Sequence, residues 1–267
     1  AYKRNFVIYD AADSLVVIKN CLKEMNLDDK LYAPNAIQSA ISNAKNALTS
    51  EREFARQADS FHAQKVAEVY ELYQHKLRSN NALDFDDLLV LTVSLLKTNQ
   101  EVREKYQEKF RYILIDEYQD TNRAQYLLAR LLAEKHRNLC VVGDADQSIY
   151  GWRGADIRNI LDFEQDYPDA KVIKLEQNYR STQVILDAAN AVIEHNADRR
   201  PKQLWTENNP GEKITHYLAY DERDESNYIA STIIKLNTVY NTPYGNIAVL
   251  YRTNAQSRVI EEAFMKN

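Results

Sequence analysis

The run Ile113-Leu114-Ile115 stops abruptly at two adjacent carboxylates, Asp116 and Glu117, and this break limits the possible folds more than any other feature of the chain. A strand that reads as continuous apolar sequence, here Tyr112 to Ile115, is expected to be covered on both faces, as in a parallel sheet. Its chain then emerges at the carboxyl edge, where ligands bind in open α/β folds. Successive side chains of an extended chain point in different directions. One acid can therefore hold a magnesium ion, largely through retained waters, while its neighbour faces an attacking water. Acid pairs also end strands as plain solvated turns, so the reading needs support from elsewhere in the chain.

That support comes from a second apolar run, Leu139-Cys140-Val141-Val142, which leads into Gly143-Asp144-Ala145-Asp146-Gln147-Ser148-Ile149-Tyr150-Gly151-Trp152-Arg153-Gly154-Ala155. Three of the five glycines fall in this stretch. Glycine serves where backbone takes positive φ or approaches a ligand closely, so an unusual loop is expected at this strand end. The loop also carries Tyr150, Trp152 and Arg153. Aromatic faces stack on unpaired bases and arginine pairs with phosphate, a combination suited to single-stranded nucleic acid. Taken alone, an aromatic pair beside a loop is more often part of a core.

Taken together, these segments resemble superfamily 1 DNA helicases. Asp116 to Asp120 is similar to their Walker B segment, motif II, and Gly143 to Ala155 to motif III. Leu175-Glu176-Gln177-Asn178-Tyr179-Arg180-Ser181 is similar to motif IV, and Leu250-Tyr251-Arg252-Thr253-Asn254-Ala255-Gln256-Ser257-Arg258 to motif IVa, all in the family's order. The nearest group is that of UvrD, Rep and PcrA, and the helical parts are worded most like the PcrA branch of Gram-positive bacteria. The resemblance covers essentially the whole chain. It implies an α/β fold of RecA-like parallel-sheet motor domains, of the P-loop NTPase type, with an inserted helical subdomain.

The roles that the resemblance implies fall on residues present here. Asp116 binds Mg2+ through water, and Glu117 orients or activates the hydrolytic water. Gln147 contacts the γ-phosphate of ATP and reports it to the neighbouring DNA-binding loop, which suits an amide that both donates and accepts. Tyr179 stacks near the adenine, and Arg180 reaches the γ-phosphate from the second motor domain as an arginine finger. Tyr150, Trp152 and Arg153 hold the DNA strand, with Arg252 and Asn254 on the second domain. The implied activity is ATP-dependent movement on single-stranded DNA in the 3′ to 5′ direction, with duplex unwinding, in DNA repair and plasmid replication. Replication or repair proteins are candidate partners.

One component of the pattern is missing. No glycine is followed by lysine, so G-x-x-x-x-G-K-[ST] does not occur, and neither the N–H cradle nor the lysine for the β- and γ-phosphates is supplied. The chain alone is therefore expected not to hydrolyse ATP. The family places that loop upstream and its later arginine-bearing motifs downstream, which leads to the expectation of a central fragment working with the remaining segments of the same polypeptide. Two rivals remain open: a magnesium nuclease using Asp116, Glu117 and Asp120, and a non-catalytic DNA-binding subunit. Intact Glu117, Gln147 and Arg180 speak against decay of the motor.

Composition bears on partners and compartment. The net charge of −5 argues against bulk attraction to DNA, so any binding must be localised to a groove. No apolar run is long enough to span a bilayer and no signal-peptide pattern opens the chain, giving the expectation of a cytoplasmic protein. Cys21 and Cys140 are too few for a disulfide framework and lie in apolar surroundings, so both read as small core residues. The five histidines form no ligand spacing.

Along the chain, residues 1–82 are expected to form the helical insertion. Residues 83–172 then form the later part of the first motor domain, and 173–267 the early part of the second. A helix cap is expected near Asp10 or Asp13, and a capping box at Ser50 and Glu53 opens a helix running to about Leu77. The resemblance to the family's 1B insertion implies that basic residues on that helix touch duplex DNA, though a solvated face is the better default reading of the charges alone. Residues 82–96 read as an apolar helix beginning at acids, and capping accounts for Asp84, Asp86 and Asp87 better than a metal cluster does. Val172–Leu175 and Ile247–Tyr251 read as strands, with helices around 182–194 and 225–239. Arg199-Arg200-Pro201-Lys202 lies in a loop that could meet phosphate or solvent.

Overall fold

The computed structural model describes residues 2–196 and 202–266. The chain divides into two compact units, Ala1–Glu176 with Ile193–Gln203, and Gln177–Val192 with Leu204–Asn267. The architecture mixes helices with small sheets, and both ladders among the described residues are parallel.

The first unit opens with β1 (Val7–Tyr9), which pairs in parallel with β2 (Ala82–Asp84), Val7 opposite Ala82 and Tyr9 opposite Asp84. Four helices lie between them: α1 (Ala11–Glu24), α2 (Pro34–Asn46), α3 (Glu51–Gln57) and α4 (Phe61–Ser79). Asp10 caps α1 in a capping box with Asp13, Pro34 opens α2, and Ser50 with Glu53 caps α3 as their spacing predicts. The single helix expected from Ser50 to Leu77 is broken at Ala58–Ser60. Ala58 is extended, and the Ser60 hydroxyl accepts the Ala63 N–H to start α4 afresh. A short polar side chain competing for backbone donors outweighs the apolar periodicity there. Val17, Ile18, Cys21, Ile37, Ile41, Val69, Tyr73 and Leu77 form one core under these helices.

The segment Ala82–Asp84 is strand rather than the start of the next helix. Asp84 is extended and caps α5 (Phe85–Thr98), reciprocally with Asp87. Both carboxylates are buried and meet Lys45 from α2, whose Nζ lies 2.6 Å from Asp84 and 2.8 Å from Asp87. The Tyr73 hydroxyl donates to Asp84 at 2.8 Å and the Gln74 amide to Asp87 at 2.9 Å. The acids are thus capping groups, as expected, and also partners of a buried cation that sequence spacing did not reveal. Burial still raises the Asp87 carboxyl above the ordinary range, with Lys45 opposing.

After α6 (Gln100–Lys109), β3 (Ile113–Ile115) pairs in parallel with β4 (Leu139–Val141) across α7 (Arg123–Ala133). The expected coverage of both sheet faces is not met. Ile113 and Ile115 are half-buried, whereas Leu114 is 78% exposed and its register partner Cys140 is exposed too. Cys140 is therefore not the core residue its apolar neighbours suggested. Its alternate position on the strand puts it on the uncovered face. Two short helices, α8 (Arg158–Leu161) and α9 (Phe163–Asp166), follow the loop after β4.

The second unit is built on α10 (Gln183–Ile193), α11 (Glu222–Tyr240) and α12 (Ser257–Lys266), with α11 packed on α12. Asp221 caps α11 through the N–H groups of Arg223 and Asp224. Neither Val172–Leu175 nor Ile247–Tyr251 forms a strand; one isolated parallel bridge, Gln177 to Trp205, is present instead. A strand exists only against a hydrogen-bonding neighbour, and most apolar side chains of these runs stay exposed, Leu250 at 92%, while Ile247 and Val249 are half-buried.

Candidate nucleotide and nucleic-acid site

At the end of β3 the ladder makes one more step before the chains part. The Val142 N–H donates to the Ile115 carbonyl at 2.8 Å, and the Tyr118 N–H to the Val142 carbonyl at 3.0 Å. Between these contacts Asp116 and Glu117 project from the edge, both exposed. Glu117 has φ 50°, a left-handed conformation that costs a non-glycine residue about 1–2 kcal/mol. Its N–H donates to Asp116 Oδ1 at 2.9 Å, which leaves Asp116 Oδ2 for other partners.

Two residues on, Gln119 is almost completely buried and joins the two strand-end loops. Its Nε2 donates to Glu117 Oε2 at 2.7 Å, and its Oε1 accepts the Asp144 N–H at 2.9 Å. Gly143 has to be glycine for this to happen, because a Cβ there would lie 2.6 Å from Gln119 Oε1. Asp144 in turn accepts the Gln147 Nε2–H at 2.8 Å and forms an ion pair with Lys202, which also stands 3.3 Å from Asp146. Burial raises the Asp144 carboxyl, but the hydrogen bonds from Lys202 and Gln147 outweigh it and hold the group below the usual carboxylate range.

Asp116, Glu117 and Gln147 are thus linked within the first unit by a continuous line of hydrogen bonds through Gln119 and Asp144. Gln119, Asp144 and Lys202 were not singled out as site residues from the sequence. Gln119 was legible in principle as the inward residue two positions beyond Glu117. The Lys202 contact joins residues 58 apart and leaves no local trace. Of the basic loop, Arg199, Arg200 and Pro201 lie outside the described residues.

The same loop then presents its aromatics. Tyr150 is half-exposed and Trp152 is 70% exposed, with ring centres 6.4 Å apart and planes tilted by 44°. The Arg153 guanidinium sits 4.5 Å from the Trp152 ring centre and 5.3 Å from that of Tyr150. The turn closes through Arg153 N–H to Tyr150 O at 2.8 Å and Gly154 N–H to Gly151 O at 3.0 Å, with Gly154 at φ 84°. These rings belong to no core. They form an exposed cationic and aromatic surface.

In the second unit, the Asn178 side chain organises a turn by accepting the Arg180 N–H at 2.9 Å and the Ser181 N–H at 2.8 Å. Tyr179 and Arg180 project from it, and the Arg180 guanidinium has no ion pair among the described residues. Arg252 and Asn254 lie on a separate exposed turn before α12. There the Gln256 Oε1 accepts the N–H groups of Arg252 and Thr253, both at 2.9 Å.

The geometry suits a magnesium site of few protein ligands. Among the described residues Asp116 Oδ2 has no hydrogen-bond partner at the edge, and a hard cation that keeps its waters needs only one or two carboxylates beside phosphate oxygens. A nuclease site built from Asp116, Glu117 and Asp120 is not assembled. Among the described residues no three such groups gather to hold a metal, and Asp120 is turned toward Gln119.

Two family models match the chain. Residues 1–168 match the UvrD/REP helicase N-terminal domain and residues 173–267 the UvrD-like helicase C-terminal domain, and the chain belongs to the UvrD/REP helicase family. It is 56% identical over 265 residues to proteins named ATP-dependent DNA helicase PcrA from Staphylococcus epidermidis RP62A and from Staphylococcus aureus Mu50. The match takes in 99% of this chain and 36% of the length of those relatives. Among the described residues no helix is long and apolar enough to cross a membrane.

Proposed function

We propose that this chain is the central part of an ATP-dependent DNA helicase that moves 3′ to 5′ along single-stranded DNA and separates the duplex ahead of it, serving repair and plasmid replication. The observation that carries this is the unbroken line Glu117–Gln119–Asp144–Gln147, which joins the acidic strand edge to the loop bearing Tyr150, Trp152 and Arg153. A γ-phosphate felt at Gln147 then lies three residues from the first stacking ring.

In this mechanism Asp116 would hold, through Oδ2, the Mg2+ that accompanies ATP, and that ion would neutralise charge on the phosphate oxygens. Glu117, steadied by Gln119, orients the hydrolytic water. Gln147 surrenders its hydrogen bond to Asp144 when phosphate competes for its amide. Tyr179 stacks by the adenine. Arg180, without an ion pair among the described residues, supplies positive charge to the transferring phosphoryl group. Unpaired bases rest on Tyr150 and Trp152, Arg153 neutralises phosphate, and Arg252 with Asn254 holds the strand on the second motor domain. The divisions 1–82, 83–172 and 173–267 correspond to a helical insertion and parts of two motor domains. The phosphate-cradling loop comes from another segment of the full-length polypeptide, and the chain by itself is inactive in hydrolysis.

The test uses the full-length polypeptide. Gln147→Ala is expected to leave nucleotide binding within about twofold while the stimulation of hydrolysis by oligo(dT) falls by about tenfold or more, as for loss of a charge-assisted hydrogen bond. Unchanged stimulation sinks the proposed coupling.

A further inference from the structure

Asn46, the last residue of α2, lies in no recognised motif, yet its side chain is buried where three segments meet. Its Oδ1 accepts the Asn122 Nδ2–H at 2.8 Å, across 76 residues. Asn122 is the cap of α7. Its own Oδ1 accepts the Gln125 N–H and its N–H is met by Gln125 Oε1, both at 2.9 Å. The cap therefore fixes which way the Asn122 amide points, and that in turn requires an acceptor at Asn46. Asn46 Nδ2 turns back to Ser42 Oγ at 3.3 Å.

The other side of Asn46 supports the aromatic loop. A Cβ on Gly154 would stand 3.3 Å from Asn46 Cβ and 3.5 Å from its Nδ2, so the turn that presents Trp152 and Arg153 rests directly on this residue. The chain leaving that turn is bound to Thr121, the residue before Asn122. The Asp156 N–H donates to the Thr121 carbonyl at 3.0 Å, and the Asn159 amide donates to the same carbonyl at 2.9 Å. Thr121 closes back onto the Tyr118 carbonyl through its hydroxyl at 2.7 Å. Behind Asn46, the neighbouring Lys45 is held by Asp84 and Asp87, so α2 forms a fixed backing.

We infer that Asn46 is a positioning residue that sets the height of the Tyr150–Trp152 platform relative to the Asp116–Glu117 edge, by bracing the Thr121–Asn122 corner and the Gly154 turn at once. It touches neither nucleotide nor DNA. It acts through the placement of the rings, so its removal weakens the response to DNA before it weakens hydrolysis itself. The inference rests on the helicase reading above and adds to it a residue outside the motor motifs.

The experiment compares Asn46→Ala and Asn46→Asp with the unaltered full-length protein, measuring basal ATP hydrolysis, the oligo(dT) concentration for half-maximal stimulation, and thermal unfolding. The alanine variant is expected to need about five- to tenfold more oligo(dT) with basal hydrolysis within about twofold, the range for one lost buried hydrogen bond. Aspartate keeps the acceptor for Asn122 and is expected to recover most of the loss. Two results overturn the inference: an unchanged half-saturation point, or a loss of basal and stimulated hydrolysis in equal proportion with no rescue by aspartate, which marks a purely structural role. If hydrolysis by the unaltered protein ignores oligo(dT), the helicase reading fails as well, and the two failures are told apart by that control.

Discussion

At the end of β2, Asp84 turns inward, where Lys45, Tyr73 and the Asp87 N–H use both of its oxygens; after β3, Asp116 turns outward and uses one oxygen on the next N–H. Asp84 is the last residue of one three-residue parallel strand and Asp116 the first residue after another, and both are followed within three residues by further carboxylates. The first group carries its own cation and closes on itself. The second has no ion pair among the described residues, and Lys202 of the same unit is engaged by Asp144 and Asp146. A strand-end acid is thus a structural clasp when the fold supplies its counter-charge, and a candidate reaction site when the fold withholds it.

The contrast breaks most readily at Glu117. In the full-length polypeptide Glu117→Gln is expected to lower ATP hydrolysis by about 10²–10⁴, the range for a lost general base, with unfolding nearly unchanged. Steady-state hydrolysis beside a urea melt decides it, and a variant that keeps its rate removes Glu117 from the chemistry. The reciprocal change, Lys45→Met, strands two buried carboxylates and is expected to cost about 3–5 kcal/mol in urea unfolding. A cost below about 1 kcal/mol would show that the clasp is solvated. Trp152→Ala is expected to weaken oligo(dT) binding by about 1–3 kcal/mol per stacked base, read by fluorescence anisotropy, and to leave stability alone because the ring is exposed.

The smallest effect sharpens the comparison through pH. Asp144 is held below the ordinary carboxylate range, so its stabilising contribution is full above that range and is lost as pH falls through its depressed folded value. The stability gap between the unaltered protein and Asp144→Asn should therefore narrow as pH falls through that window in denaturant melts. A gap independent of pH would mean the Lys202 and Gln147 contacts do not favour the ionised form. Asp87 behaves oppositely. Its raised carboxyl contributes stability below the ordinary range, which is lost as pH rises through the folded value.

The legible parts of the sequence were those written in neighbouring residues. Caps at Asp10, Ser50 and Asp84 announce themselves within four positions, and the apolar runs at 113–115 and 139–141 mark strands whose shared exit follows from parallel pairing. What stayed hidden depends on distance along the chain. Lys45 reads as one more basic residue on a helix until Asp84, 39 positions away, is folded against it. Leu114 and Cys140 look like core until their alternate face is found uncovered. The runs at 172–175 and 247–251 have strand composition without a strand neighbour, and composition cannot provide one.

The bare α-carbon at Gly143 has a further consequence. It leaves room for one carboxamide, and through that opening the acidic rim and the aromatic shelf are tied together. A single methyl group inserted there would act as a wedge, prising the rim from the shelf.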